Sequence, residues 1–187
     1  MKQRILLGIA FLLFLVPTAI RAQVFGTGQT LRSGKASLGV EPVLYSYANG
    51  HDDFYLFLHG GYGLRSGLDL GLKVGVLGPR DYFGADLEWN LAPGNPAISL
   101  SVGGHQYFDF GLDATLNVSF PLGKSTHLYT GLDADVIFAE PETRTPYWLP
   151  LGVEVAFRQN ASLLLEGEFG LNGPAWNIMG GGLNFYF

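Results

Sequence analysis

The chain of 187 residues contains no cysteine. Disulfides, thiolate–metal sites and cysteine nucleophiles are therefore excluded, and so is a lipoprotein anchor, which needs an acylated cysteine. Long apolar runs are scarce as well. Beyond residue 22, no segment approaches the roughly 20 apolar residues that a transmembrane helix needs. The hydrophobic residues, 48% of the chain, are instead spread along it.

Basic residues are few, and three of the 11 lie close to the N-terminus. Lys2 and Arg4 precede an apolar stretch at 5–20, and Ala22 supplies a small residue after it. This order predicts a secretory signal peptide at 1–22, cleaved near Ala22. An uncleaved membrane anchor is the alternative, but the run is short and contains a proline. Cleavage leaves 8 basic and 16 acidic residues, so no basic stripe remains to bind nucleic acid.

From residue 35 onward, apolar residues recur at every second position between clusters of Gly, Pro, Asn and Asp. Period-two alternation bounded by turn residues is typical of β-strands. Pro42 and Pro150 fall inside predicted strands, where a missing N–H interrupts pairing, so each indicates a bulge or a later strand start. Eight strands is the alternative to the predicted ten. The ten predicted strands lie at 35–47, 54–65, 67–77, 82–91, 97–105, 108–120, 126–138, 147–158, 161–171 and 176–187.

The charged residues of these strands all fall on the polar face. The acidic ones are Glu41, Asp69, Asp86, Glu88, Asp109, Asp113, Asp133, Asp135, Glu154, Glu166 and Glu168, and the basic ones are Lys35, Arg65, Lys73 and Arg158. A soluble barrel or sandwich would turn the apolar face inward, but that face is too bulky for the lumen of ten strands. The sequence therefore predicts an all-β fold, a closed antiparallel up-and-down transmembrane β-barrel at 35–187. Residues 23–34 are predicted to be a periplasmic lead-in.

The last strand places Leu183, Phe185 and Phe187 on one face. A terminal aromatic with apolar residues at alternate upstream positions is similar to the assembly signal of bacterial outer-membrane barrels. With the export signal and the alternating strands, the mature chain resembles the small outer-membrane barrel families that include the OmpA membrane domain and OmpW-like proteins. The resemblance implies location in a Gram-negative outer membrane. The partners that it implies are outer-membrane lipid and the barrel-insertion machinery.

An excess of acid over base in the predicted lumen leaves two functions open. The charges either form a salt-bridge network that fills the barrel, a structural role, or line a narrow, porin-like channel that favours small cations. A surface module for binding or adhesion is a third hypothesis. It would act through short outer loops such as 139–146, with no protein partner indicated.

No catalytic, metal or cofactor motif is apparent, and the sequence predicts a protein that is not an enzyme. Outer-membrane proteases of ten strands use Asp and His near the outer rim, so His51, Asp52 and Asp53 invite comparison with them. Residues of this kind are also preferred in tight hairpin turns, which explains the cluster without catalysis.

Overall fold

Alternation of apolar and polar residues shapes every strand of the structure, a computed structural model that describes residues 28–187. The strands are β1 (Ala36–Ser46), β2 (Asp52–Arg65), β3 (Leu68–Val76), β4 (Tyr82–Ala92), β5 (Ala97–Gln106), β6 (Phe110–Pro121), β7 (Thr126–Ile137), β8 (Tyr147–Arg158), β9 (Ala161–Gly170) and β10 (Asn177–Tyr186). Each pairs antiparallel with the next, and β10 pairs with β1, which closes the barrel. The sheet therefore has no free edge.

The predicted closed up-and-down barrel of ten strands is confirmed, and the alternative of eight strands is wrong. Two strand starts differ from prediction by two residues, and the other boundaries agree to within one residue. β2 begins at Asp52, so Asp52 and Asp53 belong to the strand and not to the preceding loop. β6 begins at Phe110, which places Asp109 in the turn before it. The predicted signal peptide at 1–22 lies outside the described residues.

Both prolines lie within strands that continue through them. Pro42 faces Leu56 of β2, but the pairing of β1 with β10 has a gap between Val40 and Val43. Pro150 faces Glu168 of β9, while the pairing of β8 with β7 has a gap beside it. A proline has no N–H to donate, so each one disturbs the ladder on one side only. The predicted range of the eighth strand, 147–158, is therefore confirmed, and the alternative of a later start after Pro150 is wrong.

The outer surface of the barrel is apolar and its interior is polar. Large exposed side chains on the outside include Leu38, Leu72, Phe83, Phe110 and Leu165. Buried polar side chains inside include Glu41, His59, Asp69, Asn117, Ser162 and Asn184. A polar interior behind an apolar outer band is the pattern of a transmembrane barrel, whose surroundings are lipid.

Among residues 28–187, no helix is long and apolar enough to cross a membrane.

The two ends of the barrel differ in their connections. The loop end carries the connections 47–51, 77–81, 107–109, 138–146 and 171–176. The terminal end carries residues 28–35, Phe187 and the tighter connections 66–67, 93–96, 122–125 and 159–160. The sequence prediction assigns the loop end to the outside of the cell and the terminal end to the periplasm.

Candidate functional site

Residues 28–34, termed here the plug segment, run against the inner wall of the barrel at the terminal end. Leu31 is only 1% exposed and packs against Tyr186 of β10. Its backbone N–H donates a hydrogen bond to the Asp69 carboxylate of β3. Because one apolar contact and one charge-assisted hydrogen bond meet at Leu31, this residue anchors the segment.

A second anchor of the plug segment is Gly28. Its backbone N–H donates to Ser119 Oγ at 2.8 Å, and its carbonyl accepts from Asn90 Nδ2 at 3.1 Å. A Cβ at Gly28 would lie 2.6 Å from the carbonyl oxygen of Ala97, and one at Gly63 would lie 2.3 Å from that of Arg32. These are approaches that only glycine permits, so the segment and the wall fit each other closely.

Above the plug segment, the middle of the lumen is filled by a polar network. Tyr186 OH donates to Glu154 Oε1 at 2.9 Å and lies 3.0 Å from Ser162 Oγ. On the opposite wall, Ser99 Oγ donates to Glu88 Oε1 at 2.5 Å. These hydrogen bonds satisfy buried groups that would otherwise be costly in a narrow interior.

A cavity of about 710 Å³ occupies the loop-end half of the lumen. Ten acidic side chains contribute to its lining, but only two basic ones, Lys73 and Arg144. The acidic set is Glu41, Asp53, Asp86, Glu88, Asp109, Asp113, Asp133, Asp135, Glu166 and Glu168. The lining includes no residue of the plug segment. The cavity lining is therefore strongly acidic and does not include the plug segment.

Among the described residues, two of these carboxylates pair with a basic side chain, and three lie beside a histidine. Arg144 contacts Asp109 at 2.8 Å near the rim, and Lys73 Nζ lies 4.0 Å from Asp86. His105 is buried between Asp113 and Asp135, at 3.4 and 3.7 Å. The remaining acids repel one another in a confined space, which favours the entry of cations.

Eight aromatic rings line the same cavity towards the loop end, and all of them except Phe108 form what is termed here the aromatic collar. The collar comprises Tyr45, Tyr47, Phe57, Tyr82, Tyr107, Trp148 and Trp176. Its rings contact one another: the Tyr47 and Trp176 centroids lie 5.5 Å apart, and those of Trp148 and Trp176 lie 5.4 Å apart. Burial raises the pKa of Tyr47 and that of Tyr107, so both hydroxyls are neutral.

The predicted lumen charges divide into three groups. Most line the cavity, as given above. Glu154 and Asp69 are buried closer to the terminal end, where Asp69 holds Leu31. Arg65 and Arg158 end β2 and β8 beside β-bulges and are exposed, outside the cavity lining. The sequence proposed these arginines as partners for the acids, but the structure does not bring them to the cavity.

The predicted assembly residues lie on the outer face of β10. Leu183 and Phe187 are exposed, while Phe185 is half-buried. Phe187 and Ala36 exchange backbone hydrogen bonds of 2.9 and 3.3 Å. The terminal aromatic therefore sits at the seam where the first and last strands meet.

The His51 cluster lies at the rim of the cavity. His51 Nε2 lies 2.9 Å from Asp53 Oδ1, and the histidine side chain is 66% exposed. Within residues 28–187, no group of three or more His, Cys, Asp or Glu side chains could hold a metal ion.

The plug segment and the collar are the features that sequence reasoning missed. Glycines at 28 and 63 hinted at close backbone contacts, but a glycine alone does not say what approaches it. The collar rings come from six separate stretches of chain, and only the strand register brings them together.

No protein-family model and no curated protein sequence matches this chain. Among solved structures, it is similar to the N-terminal β-barrel domain of Pseudomonas aeruginosa OprF, at 18% identity and a TM-score of 0.37, covering 83% of this chain and 98% of that one. The outer membrane protein Omp33 of Acinetobacter baumannii is 8% identical, with a TM-score of 0.43 and coverages of 82% and 98%. The outer membrane protein OprG of Pseudomonas aeruginosa is 12% identical, with a TM-score of 0.38 and coverages of 83% and 97%. Small outer-membrane barrels, which the sequence resembles, are thus also what the fold is similar to.

Proposed function

We propose that this chain is an integral outer-membrane barrel that admits cations from the outside into an acidic lumen and serves as a narrow channel, normally closed. The observation that carries the proposal is the acidic cavity at the loop end, with ten carboxylates against Lys73 and Arg144. Acidic linings favour cations over anions by direct electrostatic attraction. Outer-membrane lipid surrounds the apolar outer face in this proposal.

The plug segment accounts for the closed state. Leu31 and Gly28 hold the segment to the wall by contacts with four different strands, β3, β4, β6 and β10. Passage through the lumen requires this segment to leave its place. If it never does, the lumen is filled permanently, and the role of the barrel is structural.

Conductance in planar bilayers separates the channel from the structural role. Leu31→Asp places a carboxylate beside Asp69 in a buried site, which repels the segment from the wall. We expect this variant to conduct, with a preference for K⁺ over Cl⁻, while the wild type opens rarely. Leu31→Met is the matched control because it keeps the apolar anchor at nearly the same volume.

Two results would contradict the channel proposal. One is a Leu31→Asp variant that folds, as judged by its heat-dependent gel mobility, but stays silent. The other is an open variant that prefers anions. The first result supports the structural role, since it shows that the lumen does not conduct even without its plug.

Export and assembly belong to the same proposal. The signal peptide at 1–22 delivers the chain to the periplasm, and the barrel-insertion machinery reads Leu183, Phe185 and Phe187. Phe187→Ser is expected to lower the amount of barrel in outer-membrane fractions without changing refolding in detergent. Tyr62→Ser, which removes another exposed aromatic ring, is the control for lost surface hydrophobicity.

The proposed role involves no catalysis. His51 Nε2 lies 2.9 Å from Asp53 Oδ1 at the rim, and these two residues are the ones to test for hydrolase activity. Purified barrel is expected to cleave neither peptide nor lipid A. Cleavage that disappears in a His51→Ala variant would overturn this part of the proposal.

A further inference from the structure

The collar and the acids together form a site whose chemistry is more specific than a general preference for cations. Tyr47, Tyr82, Tyr107 and Trp176 are half-buried and line the cavity, so part of each ring surface is open to it. Ring faces attract cations through their quadrupole, and they favour weakly hydrated organic cations. Most of the acids lie below the collar, and their carboxyl groups attract a positively charged ligand.

Two acids on the cavity wall, Glu41 and Glu166, each have a buried oxygen without a hydrogen-bond partner among the described residues. Glu41 is 2% exposed, lines the cavity, and its Oε2 has no hydrogen-bond partner among the described residues. A buried carboxylate oxygen left in this state is costly. Strand geometry separates Glu41 from Tyr45 by about 13 Å along β1, at roughly 3.3 Å per residue. A ligand of modest length could therefore contact both levels of the cavity.

The dimensions and ligand types argue against a bare metal ion. A cavity of about 710 Å³ is much larger than a metal site, and it falls within the usual range for small-molecule pockets. Across residues 28–187, the His and acidic side chains do not converge into a group that could hold a metal. Carboxylates spread around an aromatic mouth suit a ligand with both a charge and an apolar part.

We propose that the cavity binds an organic ammonium ion, with its charged nitrogen among the acids and its alkyl groups against the collar. The inference rests on the proposed function only for the orientation of the cavity towards the outside. Binding itself does not require conduction. The site takes up its ligand from the loop end while the plug segment stays in place.

Calorimetric titration of the full-length barrel in detergent micelles tests the site with choline as the probe. We expect saturable binding of choline. Its neutral isostere 3,3-dimethylbutanol and K⁺ at equal ionic strength should produce no saturable heat. Quenching of tryptophan fluorescence should accompany choline binding, since Trp148 and Trp176 line the cavity.

Variants assign the binding to the collar and the acids. Tyr82→Leu is expected to weaken choline binding by about 5- to 30-fold, the range for a desolvated cation–π contact. Phe83→Leu is the matched control, because Phe83 is the next residue of β4 and points outward. Asp86→Asn and Asp113→Asn, which change two partly exposed acids of the cavity wall, should each weaken binding by about tenfold. Asp81→Asn, an exposed loop acid outside the cavity lining, should leave binding unchanged.

Three results would overturn the site: no saturable heat with choline, equal binding of 3,3-dimethylbutanol, or equal weakening by Tyr82→Leu and Phe83→Leu. Each variant is first checked for folding by its gel mobility, and Tyr82→Phe keeps the ring if Tyr82→Leu fails to fold. A Leu31→Asp barrel that conducts cations but binds no choline refutes the site and leaves the proposed channel standing. A silent Leu31→Asp barrel that binds choline refutes the channel and leaves the site standing.

Discussion

The interior of the barrel is occupied differently at its two ends. At the terminal end, backbone groups of the plug segment form hydrogen bonds with Asp69, Ser119 and Asn90. At the loop end, carboxylates face an open space below a collar of aromatic rings. A barrel interior can thus be filled by a segment of its own chain, or it can be left charged and open to a ligand. Under the proposals above, the terminal end contributes to stability and the loop end binds the ligand.

The largest difference between the two ends is expected in the rate at which an introduced cysteine reacts with a reagent in solution. The chain has no cysteine, so single variants Leu31→Cys and His51→Cys each report one end. With a water-soluble maleimide, we expect Leu31→Cys to react about 100-fold more slowly, since labelling there requires local opening of roughly 3 kcal/mol. Equal rates in the folded protein would show that the terminal end is not closed. Labelling in urea, where both sites are exposed, provides the reference.

Stability should depend on the single lysine of the acidic cavity. Lys73→Gln removes the partner of Asp86 and is expected to lower the free energy of unfolding by about 2 kcal/mol. This is less than the cost of breaking a fully buried pair, because Lys73 is about a third exposed. Urea unfolding followed by tryptophan fluorescence measures the change. Adding Asp86→Asn should restore part of the loss, and an unchanged midpoint for Lys73→Gln would contradict the account.

The hydrogen bond between Leu31 and Asp69 predicts a smaller change, in the rate at which the plug segment is labelled. In the Leu31→Cys background, Asp69→Ala should raise the labelling rate about tenfold, because a buried hydrogen bond to a charged group is lost. Asp69→Asn retains an acceptor oxygen and should raise the rate much less. If Asp69→Ala and Asp69→Asn behave alike, charge and not hydrogen bonding holds the segment.

The smallest effects on stability are expected from the tyrosine hydroxyls at the collar and directly behind it. Tyr55 OH donates to Tyr107 OH at 2.8 Å from a fully buried ring, whereas the contact between Tyr47 OH and Tyr107 OH is 3.3 Å long and half-buried. Tyr55→Phe is therefore expected to cost about 1 kcal/mol and Tyr47→Phe about 0.5 kcal/mol or less. Urea unfolding would contradict this if the order were reversed.

Much of this fold was predictable because the alternation of side chains is regular. Phe110, Leu112 and Leu116 alternate with Gly111, Asp113 and Thr115 in β6 without interruption, and this fixes both the strand and its inner face. Boundaries were less predictable. Asp109 fits the polar–apolar alternation of the residues that follow it. It nevertheless lies in a turn, where its carboxylate pairs with Arg144 of another loop.

The site was predictable only in part. The alternation predicts which acids face inward. Which basic side chains come close to them depends on strand register and on β-bulges. Arg65 follows a register shift after Gly63 and ends up exposed, which no period-two pattern reveals. The plug segment has no alternation of its own, so its position depends on contacts with strands distant in the chain, such as the Gly28–Ser119 hydrogen bond across 91 residues and the packing of Leu31 on Tyr186.

The seam between β1 and β10 joins residues as distant in the chain as Ala36 and Phe187. Pairing of this kind raises contact order, and forming it is expected to be the slow step of folding. The plug segment directly precedes β1, and Leu31 packs on Tyr186 of β10, so its binding place does not exist until the seam has formed. Pairing of β1 with β10 and docking of the plug segment are therefore expected to occur together. A barrel in which β1 and β10 are not yet paired would also lack the plug segment in its lumen and would let solutes pass.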